Sequence, residues 1–340
     1  IGSRKVLIIY GFTTGILCLV VAASSSVLML GISFTLLGLA LGLYHPVGLT
    51  FISRTVRAHS MAFGYHGIAG NIGQAIAPAM AAFLAGLFNW RAGFVVLGII
   101  ALSVAISVML SKAKDPVGKN IPNVSKTAST NLERKFIVPL TVVFLISILG
   151  GFVYRGAFTF MPRHYEINLE YSIFNIHPIT LAAYATTIAL IFGIPGQYLG
   201  GWLGEKFLRE HIIVPLAITV AISLAILGIA SGPILLIGGA LFALVNFIGQ
   251  PVYGALIADY SPSWLQGRVF GIFFLASFGL SFPAPYLAGL ISDQWGTEWI
   301  FRLLILAEIL IALLSLYLLY IGSTLRNSRD NNIQTNPPSS

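Results

Sequence analysis

Ten long apolar stretches dominate this 340-residue sequence. Each contains about 20 predominantly apolar residues, the length that a helix needs to cross the hydrocarbon core of a bilayer. Transmembrane strands would alternate polar and apolar residues over segments of about ten residues, but these stretches are continuous. We therefore predict ten transmembrane helices. Their predicted bounds are 6–24, 27–52, 60–87, 90–110, 136–160, 178–203, 212–231, 233–258, 268–291 and 299–321.

The composition excludes several other classes of protein. Only 9% of the residues are charged and 57% are hydrophobic, whereas a soluble domain carries roughly 25% charged residues. The single cysteine, Cys18, excludes a disulfide scaffold and any metal site built from several cysteines. The sequence contains no catalytic triad, HExxH or phosphate-binding loop pattern. We therefore predict a polytopic all-α membrane bundle that is not an enzyme and holds no cofactor or metal.

The distribution of Lys and Arg predicts the orientation in the membrane. If the ten helices alternate in direction, 15 of the 19 basic residues fall on one side and three on the other, with Arg155 inside a span. Basic residues concentrate in cytoplasmic loops. We therefore expect both termini to be cytoplasmic and the protein to lie in the plasma (inner) membrane. Orientation accounts for the net charge of +8, so nucleic-acid binding is not expected.

Polarity divides the chain into four parts. Residues 1–110 hold four spans, a polar and basic linker follows at 111–135, and six more spans occupy 136–322. The polar tail 323–340 is predicted to be disordered.

Short sequence matches indicate an internal duplication. Phe83-Leu84-Ala85-Gly86-Leu87 matches Tyr286-Leu287-Ala288-Gly289-Leu290, Pro46-Val47 matches Pro251-Val252, and Phe63-Gly64 matches Phe270-Gly271. Offsets of about 205 residues move each segment by six spans, so both copies insert in the same direction. Parallel repeats of this kind form the two halves of major facilitator transporters. Because the chain starts without Met and its first copy shows four spans, we expect two further spans to precede it.

Two loop motifs resemble those of the major facilitator superfamily. The family has a Gly-x-x-x-Asp-Arg-x-Gly-Arg-Lys loop between its second and third helices, and Gly2, Arg4 and Lys5 resemble the end of that loop. The matching loop of the second copy is represented by Gly201, Glu205, Lys206 and Arg209, with Leu208 in place of the second Gly. The resemblance implies the family fold, with about ten of its twelve helices present.

Further motifs resemble helix bends of the family and one of its branches. Gly70, Gly73 and Pro78 resemble the motif of the family's fifth helix, with Ala77 in place of a Gly of that motif. Pro46 can bend the predicted span 27–52, in which it lies. Three stretches of the sequence resemble the fosmidomycin-resistance-like exporter branch of the family. These are Leu43-Tyr44-His45-Pro46, His66-Gly67-Ile68-Ala69-Gly70-Asn71-Ile72-Gly73 and Gly156-Ala157-Phe158-Thr159-Phe160-Met161-Pro162.

Three ionisable residues inside spans are candidates for proton coupling. His45 and His66 titrate near physiological pH but could equally be packing residues. Glu308 lies about ten residues into the last span, where it could carry a proton or have a structural role.

Five further residues are candidates for substrate binding or gating. Arg155 could bind an anion, or its side chain could reach the outer membrane surface, and Tyr154 precedes it. Asn246, Gln250 and Tyr253 lie on the tenth family helix, which lines the central cavity in the family; they could bind substrate or hold helices together.

These features predict a monomeric secondary transporter that moves a small molecule by alternating access and uses a proton or other ion gradient. Proton-coupled export of drug-like or metabolite substrates is the leading hypothesis. An uptake symporter for an organic anion or sugar, and a non-transporting sensor or scaffold, are the alternatives.

Overall fold

The computed structural model describes residues 2–111, 126–169, 178–262 and 264–335. Within these ranges the chain forms thirteen α-helices and one π-helical segment. The helices are α1 (Ser3–Ala22), α2 (Val27–Leu41), α3 (Tyr44–Thr55), α4 (His59–Leu87), α5 (Arg91–Leu110), α6 (Lys126–Asn168), α7 (Pro178–Ile191), α8 (Gly193–Lys206), α9 (Arg209–Ile229), α10 (Ile234–Tyr260), α11 (Gln266–Phe274), α12 (Ala284–Trp295) and α13 (Thr297–Thr335), with the π-helical segment at Leu275–Leu280.

The helices confirm the predicted membrane bundle. Eight stretches of the described chain are long and apolar enough to cross a membrane. The other two predicted spans are also helical: 60–87 forms α4, and 178–203 forms α7 and α8.

Three of the predicted spans are interrupted. The span 27–52 breaks at Gly42 and Leu43 between α2 and α3, because Pro46 has no N–H to donate to the carbonyl four residues earlier. The span 178–203 breaks at Phe192, and the span 268–291 passes through the π-helical segment and a turn before α12.

Two helices extend beyond the predicted bounds. Helix α6 continues to Asn168, eight residues past the predicted end of its span, and it begins inside the predicted linker. Most of that linker, 112–125, lies outside the described residues. Helix α13 continues to Thr335, so residues 323–335 of the predicted disordered tail are helical; 336–340 lie outside the described residues.

The described chain forms two compact units, and the predicted division into an N-terminal and a C-terminal half stays a prediction. One unit contains Ile1–Arg57, Ile72–Val124 and Ser263–Gly271, and the other contains Ala58–Asn71, Ser125–Pro262 and Ile272–Ser340. In the first unit α1 packs along α5. A methyl group on Gly11 would lie 2.8 Å from Ala105 Cβ, and one on Gly15 would lie 2.6 Å from Leu102 Cγ. Small residues let these helix backbones approach closely.

In the second unit, α8 packs closely against both α10 and the start of α4. A methyl group on Gly196 or Gly200 would overlap the carbonyl oxygen of Leu244 or Ile248 on α10. On another face of α8, a methyl group on Gly201 would lie 3.0 Å from Met61 Cα. Helix α13 packs against α9 and α6 in the same unit.

Candidate functional site

The interruption between α7 and α8 places a glycine beside polar and aromatic side chains. A Cβ atom on Gly193 would overlap the ring of Phe247 on α10 and lie 2.8 Å from Asn71 Nδ2 on α4. In transporters, interrupted membrane helices commonly form the substrate site.

Three amide side chains lie around this interruption. Gln197 Nε2, one turn along α8 from Gly193, donates a 2.6 Å hydrogen bond to Gln250 Oε1 on α10. Gln197 and Asn71 are buried, at 1% and 6% exposure, whereas Gln250 is exposed. Asn71 Nδ2 and Gln197 Oε1 are buried atoms with no hydrogen-bond partner among the described residues. Each such atom costs about 1–3 kcal/mol, so the arrangement offers one donor and one acceptor to a ligand.

Aromatic rings lie next to the amides. The ring centroid of Phe247 is 6.0 Å from that of Tyr154 and 5.9 Å from that of Phe158, both on α6. Such edge-to-face and tilted contacts hold the rings in fixed positions. We call Asn71, Gln197, Gln250, Tyr154, Phe158 and Phe247 the amide–aromatic site. It combines a few placed polar groups with apolar walls, as small-molecule sites do.

A second group of polar side chains links the start of α4 to α8, α9 and α10. We call His59, Ser60, Glu205, Arg209 and Asp259 the ionic cluster. Arg209 Nη1 lies 2.5 Å from Asp259 Oδ2, and Arg209 Nε donates to Ser60 Oγ at 2.9 Å. His59 Nε2 lies 3.2 Å from Asp259 Oδ1. The cluster therefore connects four helices at one level.

Glu205 interacts directly with the first turn of α4. Its Oε1 accepts hydrogen bonds from the backbone amides of Ser60 at 2.7 Å and Met61 at 3.3 Å. These amides have no partner within the helix, and a carboxylate there also interacts favourably with the helix dipole.

Replacing Glu205 with glutamine is expected to loosen the first turn of α4. Glutamine keeps a hydrogen-bond acceptor but removes the negative charge. At this partly exposed position the charge contributes about 1 kcal/mol to the stability of the helix end. Amide hydrogen exchange of residues 59–64 should therefore accelerate about fivefold, as measured by mass spectrometry.

Glu166→Gln is the matched control for Glu205→Gln. Glu166 pairs with Arg163 at 2.8 Å on α6, so its loss should leave exchange at the start of α4 unchanged. Equal exchange rates in wild type and Glu205→Gln would show that this carboxylate does not stabilise the helix end.

The candidates for proton coupling lie in different surroundings. His45 is exposed at the start of α3, with its ring centroid 5.3 Å from that of Tyr44. His66 is half-buried on α4. Glu308 is only 4% exposed on α13. His45 belongs to the first compact unit, and His66 and Glu308 belong to the second.

The candidates for substrate binding separate into two groups. Tyr154 and Gln250 belong to the amide–aromatic site, and Asn246 is half-buried one turn before Gln250. The Arg155 guanidinium instead lies 5.2 Å from the ring centroid of Phe278 in the π-helical segment. Tyr253 is half-buried and packs near Gly249.

The loop-motif residues mostly make structural contacts. Gly2 precedes α1, Arg4 donates to the carbonyls of Val108, Met109 and Ser111 at the end of α5, and Lys5 is exposed. Gly201 packs on α4, and Lys206 lies 4.7 Å from the Trp202 ring centroid.

The bend-motif residues lie on helices α3 and α4. Pro46 lies in the first turn of α3, and a methyl group on Gly70 or Gly73 would meet no atom within 4 Å. Pro78 is within α4, but its side chain lies outside the described residues.

Several residues of the amide–aromatic site and the ionic cluster were not among the candidates predicted from the sequence. His59, Ser60 and Asp259 belong to none of the sequence motifs. The sequence feature that could have indicated this cluster is an acidic residue, Asp259, directly after the predicted span 233–258. Asn71 and Gln197 were visible as amides inside spans, but their mutual placement depends on how α4, α8 and α10 pack.

Comparisons with known proteins agree on one family. The model of the Major Facilitator Superfamily matches residues 1–195 and 172–338. The fosmidomycin resistance protein of Escherichia coli K12 is 25% identical over 305 residues, which cover 85% of this chain and 70% of that protein.

Solved transporters share the fold. The fucose:proton symporter of E. coli superposes with a TM-score of 0.71 at 15% identity, covering 93% of this chain and 84% of the symporter. The human organic anion transporter known as TETRAN superposes with a TM-score of 0.72 at 15% identity, covering 92% of this chain and 77% of that transporter.

Proposed function

From the premise that this chain belongs to the Major Facilitator Superfamily, we propose that it exports a small drug-like or metabolite molecule in exchange for protons. Members of this superfamily are multi-pass membrane transporters in which two halves move around a site near the middle of the bilayer. The similarity to a fosmidomycin resistance protein supports export.

The amide–aromatic site is the observation that carries this proposal. It lies at a helix interruption and offers an unpaired donor and an unpaired acceptor beside the rings of Tyr154, Phe158 and Phe247. We therefore infer that the substrate combines a hydrogen-bonding group with an apolar or aromatic body. Buried polar groups left unpaired by the wrong ligand would provide selectivity.

The ionic cluster supports alternating access. Helix α4 precedes the predicted linker, whereas α8, α9 and α10 follow it, so the cluster ties segments of the two predicted halves together. We infer that this charge cluster separates during the transport cycle, which would make it a two-state element of the kind that transport requires.

The proton sites and the orientation in the membrane belong to the same proposal. Glu308, His45 and His66 are the candidates for proton carriage. The bias of basic residues supports a plasma-membrane protein with the linker and the C-terminus in the cytoplasm.

Cells that express this chain are expected to tolerate more fosmidomycin than cells with an empty vector. Gln197→Leu should lower that tolerance about tenfold, because it removes both the bond to Gln250 and the unpaired acceptor. Growth across a fosmidomycin dilution series, with protein levels matched by immunoblot, measures both effects.

Gln294→Leu is the control, since it alters an exposed amide at the end of α12 and should leave tolerance unchanged. Tolerance equal to the empty vector would contradict export of this probe. Tolerance that persists after the proton gradient is collapsed would contradict proton coupling.

A second candidate function is uptake of an organic anion or sugar with a coupling ion. The observation that favours it is Arg155, a half-buried cation inside a membrane span. Accumulation of a labelled anion in expressing cells, dependent on an inward proton gradient, would distinguish uptake from export.

A further inference from the structure

Arg155 lies inside a membrane-spanning helix. The membrane span of α6 runs over Ile137–Asn168, but Pro162 and Arg163 end its apolar run, so at 1.5 Å per residue Arg155 is about 27 Å from the start of the span and about 9 Å from the end of the apolar run. Arg163, which is exposed and paired with Glu166, lies about 12 Å further along the axis. Arg155 is therefore a charge within the apolar run, whereas Arg163 lies beyond it.

The Arg155 guanidinium has an aromatic neighbour among the described residues. Its carbon atom lies 5.2 Å from the centroid of Phe278, a cation–π distance. Within the part of the chain that the structure describes, Arg155 forms no ion pair. A cation inside a membrane normally has such a partner.

Four acidic residues with described side chains lie on the helices packed against α6, and none of them is an ion-pair partner of Arg155. Asp259 on α10 pairs with Arg209 and His59. Glu298 lies against Gly296, and Glu308 on α13 is 4% exposed. Asp293, on α12, is exposed. None of these four carboxylates forms an ion pair with Arg155.

The position of Phe278 relative to α6 is set by a close helix contact. One turn before Arg155, a methyl group on Gly151 would overlap the carbonyl oxygen of Ser277 and lie 2.9 Å from Ser281 Oγ. Ser277 belongs to the π-helical segment, and such segments occur frequently at functional sites. This contact keeps the π-helical segment close to α6 beside Arg155 and Phe278.

We propose that the transported molecule carries an oxyanion, a carboxylate or phosphate-type group, and that Arg155 binds it. A guanidinium presents a planar fork of N–H donors that matches two oxygens of such a group. Phe278 supports one face of the guanidinium and leaves its edge for the ligand.

This inference rests on the proposed function and adds the charge of the substrate. Tyr154, the preceding residue, faces Phe247 in the amide–aromatic site, so the two sites lie on adjacent faces of α6. An aromatic body at the amide–aromatic site and an oxyanion at Arg155 would engage the same segment of that helix.

Equilibrium binding tests the proposal without any transport. We expect the purified protein in detergent to bind benzoate and phenyl phosphate at least about tenfold more tightly than neutral benzamide in calorimetric titrations. Arg155→Gln should remove this preference, and Arg155→Lys should keep part of it because the charge remains without the planar fork.

Arg163→Gln is the matched control, because it removes an exposed arginine of the same helix and should bind like wild type. Thermal melting of each variant checks that the fold is retained. Equal affinity for benzoate and benzamide in the wild type, or a preference unchanged in a folded Arg155→Gln protein, would overturn the proposal. Failure of proton-driven export would leave these binding results unaffected, so the two proposals can fail separately.

Discussion

Replacing Glu308 with glutamine is expected to reduce proton-driven transport at least about tenfold while leaving exchange of substrate at equal pH intact. Glu308 lies near the middle of its span, is 4% exposed and forms no ion pair among the described residues. An unpaired charge at that depth is costly, so this carboxyl suits a role in which it binds and releases a proton. Glutamine keeps the size and polarity of the side chain but cannot carry the proton.

The expected size of the effect is at least about a tenfold loss of gradient-driven flux, which corresponds to about 1.4 kcal/mol. Flux is measured in liposomes with and without an imposed pH difference. Exchange at equal pH should stay within about twofold, because the translocation step needs no net proton movement.

Glu210→Gln is the control for a buried carboxyl that is already engaged. Glu210 is 6% exposed and accepts a 2.6 Å hydrogen bond from Tyr260, so its replacement should leave the pH dependence of flux unchanged. If Glu308→Gln retains both the rate and the pH dependence of driven flux, Glu308 is a packing residue. His45 and His66 would then be the remaining candidates in the described chain.

The substitution Gly200→Ala is expected to destabilise the second unit strongly. The added methyl group would overlap the carbonyl oxygen of Ile248 and lie 2.8 Å from Pro251 Cγ. Backbone and proline atoms cannot move aside as a flexible side chain can, so α8 and α10 would have to separate. We expect the free energy of unfolding to fall by about 3 kcal/mol. This would be measured as a lower melting temperature in detergent and as reduced recovery of monodisperse protein.

Gly70→Ala is the matched control for this substitution. A methyl group on Gly70 meets no atom within 4 Å, and alanine favours a helix by up to about 1 kcal/mol relative to glycine. Its melting temperature should therefore equal or exceed that of the wild type. A Gly200→Ala protein as stable as Gly70→Ala would show that the helices are not in the close contact described.

The helices were predictable because their apolar runs are long. The ends of the helices were harder to predict from the sequence, and α6 shows why. Pro162, Arg163, His164 and Glu166 end the apolar run, yet the helix continues to Asn168. Tertiary contacts explain the difference: His164 is 1% exposed and its Nδ1 lies 2.8 Å from Thr297 Oγ1 on α13.

The candidate sites were predictable only in part. Helical periodicity does not show which amides on different helices meet, so the pairing of Gln197 with Gln250 could not be derived from either residue. Asp259 shows the same limit: it joins Arg209, 50 residues earlier, and His59, 200 residues earlier. Arg155 was visible as a charge inside a span, but its partner Phe278 was not.

The sequence by itself determined that this chain is a bundle of membrane helices, because backbone polar groups in lipid must be paired within each segment and apolar side chains must cover about 20 residues. It also supplied the duplication and the family resemblance. Only the tertiary structure decided which polar groups share a site and where each helix ends. Those outcomes depend on close contacts between distant segments, such as Gly200 against Ile248 and Gly151 against Ser277, which local patterns of polarity do not encode.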